Sequence, residues 1–402
     1  MDIPRETAPD FDAEVDRRGS DCIKWDGLSA AYGRDDVLPL WIADMDFASP
    51  ACVREALSER LAHPVLGYAC EPADYRPSIV DWLRARHGWD VKPEWLAFVP
   101  GIVRGIAFAV DALIPPGGSI VVQPPIYPPF INIPSGKGRK VVFNPLRRTA
   151  SGYEMDFDDL ARKLDDPSNR VLLIANPHNP VGIVWSAETL RRVAEICAAR
   201  GVTVISDEIH CDLALFGNRH VPFASVSDAA ASCSITFGAP SKTFNVAGLA
   251  TSYVICPDPE LRRRFCGFLE AGEYEHPHLF APLVTMAAFR HGEPWREAVV
   301  RYLEGNVDYV CDYIARHLPE LCAMRPQASF LVWIDCRALD VPPENLVQWL
   351  LERARLALND GATFGPGGAG FVRLNVGTRR AVLREAMARL FRAIRGGEAP
   401  TL

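Results

Sequence analysis

Long hydrophobic runs are missing from this chain. No apolar stretch approaches the roughly 20 residues that cross a bilayer, so a membrane-spanning helix is excluded. Basic character is also short: 43 Lys and Arg stand against 50 Asp and Glu, a formal net charge of -7. The densest basic runs, "LRRRF" around Arg262 and "GTRRAVLR" around Arg379, are no longer than a solvated helix face. Without a basic stripe to neutralise phosphates, a general nucleic-acid binder is excluded. Metal-ligand spacing is absent as well, with no Cys-x-x-Cys and no Cys/His pattern, and no metal is expected. The 11 cysteines are odd in number and partly embedded in apolar segments (Cys197, Cys233, Cys256). They read as reduced, buried thiols and not as a disulfide framework. The opening residues, "MDIPRETAPDFDAEVDRRGSD", are acidic and polar, unlike a signal peptide, and a cytoplasmic location is expected.

What is present is a well-packed composition, 49% hydrophobic and 23% charged over 402 residues, enough for two or three domains. From about residue 76 to 260, helical and strand patterns alternate. The amphipathic "RPSIVDWLRARHGW" is followed by the apolar strand "WLAFVP", the helix "GIVRGIAFAVDALI" and the strand "SIVVQ". Then come the strand "VLLIAN", the helix "AETLRRVAEICAARG" and three further β-rich runs, "VTVIS", "CSITF" and "TSYVIC". Short apolar strands between helices indicate an α/β fold with a mostly parallel sheet covered on both faces. Beyond about Glu273 the pattern becomes α+β. It comprises the long helical "WREAVVRYLEGNVDYVCDYIARHL", the strand "SFLVWID", the helix "ENLVQWLLERAR", the strand "FVRLNV" and a closing helix from Arg380. The expected organisation is an arm over 1–50 packing on the small domain, a large domain over 51–280 and a small domain over 281–402.

In open parallel sheets ligands bind beyond the carboxyl ends of the strands, so the residues that follow each strand carry the functional signal. Asp207 and His210 follow "VTVIS", Asn179 follows "VLLIAN", and Tyr127 follows "SIVVQ". Gly101 follows "LAFVP" and opens a helix whose first residues are Ile102 and Val103. "SITFGAPSKTFNVAGL" places Lys242 after a strand, among small residues. A lysine on a loop is usually a surface residue; in a tight apolar corner it loses hydration and its amine becomes a nucleophile. A helix N-terminus for a phosphate, a tyrosine to stack on a flat ring, an acid for a ring nitrogen and an amine for an aldehyde together suit pyridoxal phosphate. "GPGGAG", Gly365 to Gly370, matches a dinucleotide fingerprint. However, it precedes a strand instead of linking a strand to a helix, and reads as a loop presenting Arg373.

"ANPHNPVG", "SDEIHCDL" and "APSKTFNVAGL" resemble the signatures of the fold-type I, class I/II pyridoxal-phosphate enzymes. "KWD…LPLWIADMDFASP", "GYACEPADY" and "FGPGGAGFVRLNVG" resemble its cystathionine β-lyase (C–S lyase) branch, and the likeness runs from about Lys24 to about Leu390. The resemblance implies a seven-stranded, mostly parallel large-domain sheet, a cytoplasmic homodimer with shared active sites, and pyridoxal 5'-phosphate as cofactor. It implies that Lys242 carries the cofactor as an imine, Asp207 pairs with the pyridine nitrogen, and Asn179 bonds the ring oxygen beside the substrate. Tyr127 would stack on the ring and take part in catalysis. Gly101, Ile102, Val103, His210 and Ser241 would complete the cofactor site, and Tyr68 would reach the phosphate held by the neighbouring subunit. Arg373 would hold the substrate carboxylate, with Ala43 beside it.

Three positions depart from the wider superfamily. Ala239 stands where many relatives have a phosphate-binding serine, Ala250 where many aminotransferases have an arginine, and His278 where an asparagine is common. Ser241 and backbone donors are then left to carry the phosphate. The reaction implied is cleavage of L-cystathionine or related cysteine thioethers to pyruvate, ammonia and a thiol. An aminotransferase sharing every cofactor residue, and a regulatory protein-binding role alongside catalysis, remain as alternatives.

Overall fold

In the computed structural model, which describes residues 9–149 and 152–400, seven strands form the central sheet. They are β1 (Leu96–Val99), β2 (Ser119–Val122), β3 (Lys140–Phe143), β4 (Asn169–Ala175), β5 (Thr203–Asp207), β6 (Ser234–Gly238) and β7 (Ser252–Ile255). Their order across the sheet is β1-β7-β6-β5-β4-β2-β3, and only β7 runs against its neighbours. The inner strands are largely apolar runs because both faces are buried. Along β4, Val171, Leu173 and Ala175 enter one core while Leu172 and Ile174 enter the other. This is the period of two expected of a pleated strand. The first core is closed by the helices Ile102–Leu113 and Pro259–Ala271, the second by Phe157–Leu164 and Ala187–Ala198. Gly105 allows the close approach of the first of these helices, since a Cβ there would lie 2.6 Å from the Phe237 ring.

Six of these strands coincide with the apolar runs read from the sequence. The seventh, β3, was not among them: it is the sheet edge, its residues are exposed to half-buried, and its "KVVF" is too short and mixed to stand out. Towards the C-terminus, a four-stranded antiparallel sheet runs in the order β8 (Cys322–Met324), β9 (Leu331–Asp335), β11 (Phe371–Asn375), β10 (Asn359–Asp360). The helices Glu293–His317 and Arg380–Arg395 share its core. "ENLVQWLLERAR" forms one α-turn, Leu346–Trp349, and then widens into a π-turn over Leu350–Ala354.

The leading segment pairs Leu38–Pro39 with Leu356–Ala357 and then continues towards the large sheet, where Met45 meets Asn245. Lys24, fully buried, bonds Asp46 at 2.9 Å, and Arg17 bridges Asp44 and Asp46. A buried ammonium is tolerated only with such compensation. All eleven cysteines are free thiols, with only Cys70 and Cys322 exposed, as their apolar settings led us to expect.

Candidate active site

One cavity of about 450 Å³ opens at the carboxyl ends of the parallel strands. Five of the six parallel strands reach it with their last residue or the loop that follows. β1 leads to Gly101, β2 to Tyr127, β4 to Asn179, β5 ends on Asp207, and β6 leads to Ser241 and Lys242. Because β7 is reversed, its first residue, Ser252, faces the same space. Of the residues expected from the sequence, Gly101, Ile102, Val103, Tyr127, Asn179, Asp207, His210, Ser241, Lys242 and Ala43 all line it.

The electrostatics follow from burial. Lys242 loses hydration, and its amine falls from 10.5 to about 8, with Asp44 and Asp207 opposing the fall and Arg373 adding to it. Its Nζ donates to the Ala43 carbonyl. The Asp207 carboxyl, buried against the sheet, rises from 3.8 to about 7 even though the Ile209 N–H donates to Oδ1 at 3.1 Å. His210 falls to about 3 through burial beside Lys242 and Arg373, and its Nδ1 has no partner among the described residues. Burial also raises the Tyr127 phenol.

In the same cavity, Gly101 (φ 97) turns the chain into the helix Ile102–Leu113, whose head carries no side-chain cap. Its first N–H groups therefore face the cavity as free donors, and the helix dipole favours an anion there. Arg104, in the first turn, also lines the cavity and bonds the Pro100 carbonyl at 3.1 Å. This residue was missed in the sequence. The signal was available, since a cation in the first turn opposes the dipole unless an anion is near.

Arg373 does not line that cavity but adjoins it. Its Nη1 donates to Asn179 Oδ1 at 3.1 Å, and its Nη2 to Asn359 Oδ1 at 2.7 Å and to the Trp41 carbonyl at 3.2 Å. Its Nε has no partner among the described residues, and its face lies 5.1 Å from the Phe364 ring centroid. Burial lowers it to about 10, so it stays charged at neutral pH. Among the described residues no carboxylate pairs with it, which removes a structural ion pair as the reason for its presence.

Tyr68 lies apart from this cavity within its own chain and is fully exposed, in a run from 61 to 71 that is exposed throughout. Of the three departures, Ala250 lines the cavity, Ala239 is packed in the core beneath it, and His278 is exposed with Nε2 2.8 Å from the Leu249 carbonyl.

The chemistry of this donor set fits pyridoxal phosphate. An uncapped helix head suits its phosphate, a buried carboxyl that no cation bonds suits its ring nitrogen, and a depressed amine lines the same cavity. Comparison with known proteins points the same way. The chain is 41% identical over 384 residues to the cystathionine beta-lyase PatB of Bacillus subtilis (strain 168), covering 96% of this chain and 99% of that one. It is 33% identical to the protein MalY of Escherichia coli (strain K12), again with 96% and 99% covered. The structure of cystalysin from Treponema denticola, which contains pyridoxal 5'-phosphate, superimposes with a TM-score of 0.93 at 31% identity, over 96% of this chain and 99% of that one. The sequence profile described as aminotransferase class I and II matches residues 35–390, from the arm to the closing helix. With motifs in order, sheet and cavity in place and the match spanning nearly all of it, the chain belongs to the class I and II aminotransferase family.

Proposed function

We propose that the protein is a pyridoxal-phosphate-dependent carbon–sulfur β-lyase that cleaves L-cystathionine or a related cysteine thioether, with one water, to pyruvate, ammonia and a thiol. The observation that carries an amino-acid substrate is Arg373: a buried guanidinium with no counter-ion among the described residues, within electrostatic reach of the Lys242 amine. A carboxylate placed there would compensate the buried charge through two parallel hydrogen bonds. The choice of a lyase over an aminotransferase is supported by the relatives named cystathionine beta-lyase.

When bound, pyridoxal phosphate supplies an aldehyde for the substrate amine and a ring that accepts electrons. The helix head at Gly101, Ile102 and Val103, with Ser241 and Arg104, would hold the phosphate. Asp207 would keep a proton on the ring nitrogen, and Asn179 and His210 would approach the ring oxygen. Tyr127 would cover the ring and keep water from it. Lys242 Nζ would act as general base on the substrate α-proton, a task suited by an amine near 8. Arg373 and Ala43 would orient the substrate.

The deciding assay supplies L-cystathionine without any oxo acid and follows pyruvate. Many turnovers are expected. A single turnover, with further reaction only when an oxo acid is added, would make the protein an aminotransferase instead.

Arg373→Lys should raise KM for the amino acid about 10- to 150-fold, the loss of roughly 1.5–3 kcal/mol when a charge-assisted pair becomes a point contact. An unchanged KM would place the carboxylate elsewhere.

We further propose a homodimer in which Tyr68 completes the partner's phosphate site. Leu61, Val65 and Leu66 are exposed alongside it, and such a patch suits a protein interface. A Tyr68→Ala chain mixed with a Lys242→Ala chain should regain activity on subunit exchange, because one intact site forms. Sedimentation as an active monomer would reject this arrangement.

A further inference from the structure

Residues 41–47 form a strap whose carbonyls are taken one after another by side chains of the site. Arg373 donates to Trp41, Asn375 to Ile42 and Asp44 (2.6 and 2.7 Å), and Lys242 to Ala43. Asn245 donates to Met45 and Phe47 (2.9 and 2.7 Å) and accepts from the Met45 N–H at 3.0 Å. Its carboxamide thus pairs with the strap as a strand edge would. Asn245 lies three residues after Lys242, and Asn375, fully buried, two after Arg373. The strap is therefore gripped from both sides by the elements that carry those two residues.

We propose that Asn245 and Asn375 are positioning residues that hold the strap so that its carbonyls meet Lys242 at Ala43 and Arg373 at Trp41. This rests on the reading of Lys242 as the reactive amine. A misplaced strap would leave Nζ without its acceptor and shift Asp44, the acid that favours the ammonium. The other groups facing Lys242 are Asp207, Arg373 and His210. Losing an acceptor and an anion destabilises the charged form, so the amine should shed its proton at lower pH.

The test uses the full chain freed of cofactor, in which trinitrobenzenesulfonate labelling of Lys242 is followed against pH by peptide mass spectrometry. Asn245→Gly removes the carboxamide but tolerates the left-handed backbone at this position (φ 55). Its labelling midpoint should fall by at least about half a pH unit. In the holoenzyme its kcat should fall about tenfold or more with KM within about threefold, as misplacement of a reacting group does. Asn375→Ser, on the other element, should move the midpoint the same way and also raise KM; it carries the test if the first variant does not fold. An unchanged midpoint and unchanged kcat per bound cofactor, with only a lower melting temperature, would overturn the proposal. Labelling reads the strap whatever the reaction is, so a shifted midpoint with no pyruvate would reject the lyase and keep the strap.

Discussion

Lys242→Ala should lose turnover by about 10⁴-fold or more, the upper end of what one general base contributes. Among the described residues no other lysine lines the cavity, so no neighbour there can take over its amine. The same residue is expected to be the point of covalent attachment, since burial has already brought its amine down to about 8. Borohydride reduction of the holoenzyme, followed by peptide mapping, should leave the cofactor mass on the peptide that contains Lys242. Recovery of that mass on any other lysine would sink the assignment.

Asp207→Ala should cost at least about 100-fold in kcat, the scale of a lost electrostatic group aimed at developing charge. Turnover near the wild-type rate would remove Asp207 from the mechanism. A second consequence concerns stability without cofactor. The Asp207 carboxyl titrates near 7 when folded, against 3.8 ordinarily, so the folded chain holds that proton more tightly than the unfolded chain. The stability it contributes is fully present below about 3.8 and is lost as pH rises through about 7. Asp207→Asn should flatten this part of the pH dependence, read as urea midpoints of the cofactor-free chain at about pH 5 and about pH 8. An equal slope in both proteins would mean that another group sets it.

Much of the candidate site was legible because Gly101, Tyr127, Asn179, Asp207 and Lys242 sit at or just past the ends of apolar strands, and strands buried on both faces are conspicuous in sequence. Asp207, Asn179, Lys242 and Gly101 could all be located by that rule. Arg104 escaped because a basic residue on a helix normally reads as surface charge. β3 escaped because an edge strand needs little apolar character. The contacts of the leading segment could not be read from local pattern. It pairs with Leu356–Ala357 near one end and is gripped by Asn245 of the lysine loop near the other.

By itself, then, the sequence determined the layered α/β architecture and the roster of chemical groups, since local periodicity and strand-end position are properties of neighbours along the chain. The tertiary structure decided the relations between groups far apart in it. It brings Arg373 within 3.1 Å of Asn179, 194 residues away, and leaves the guanidinium with no carboxylate partner among the described residues. It lays the Ala43 carbonyl on Lys242, 199 residues on, and removes the water that would have kept that amine at 10.5. Desolvation and counter-ion balance depend on what surrounds a side chain in space, and no pattern of spacing records them.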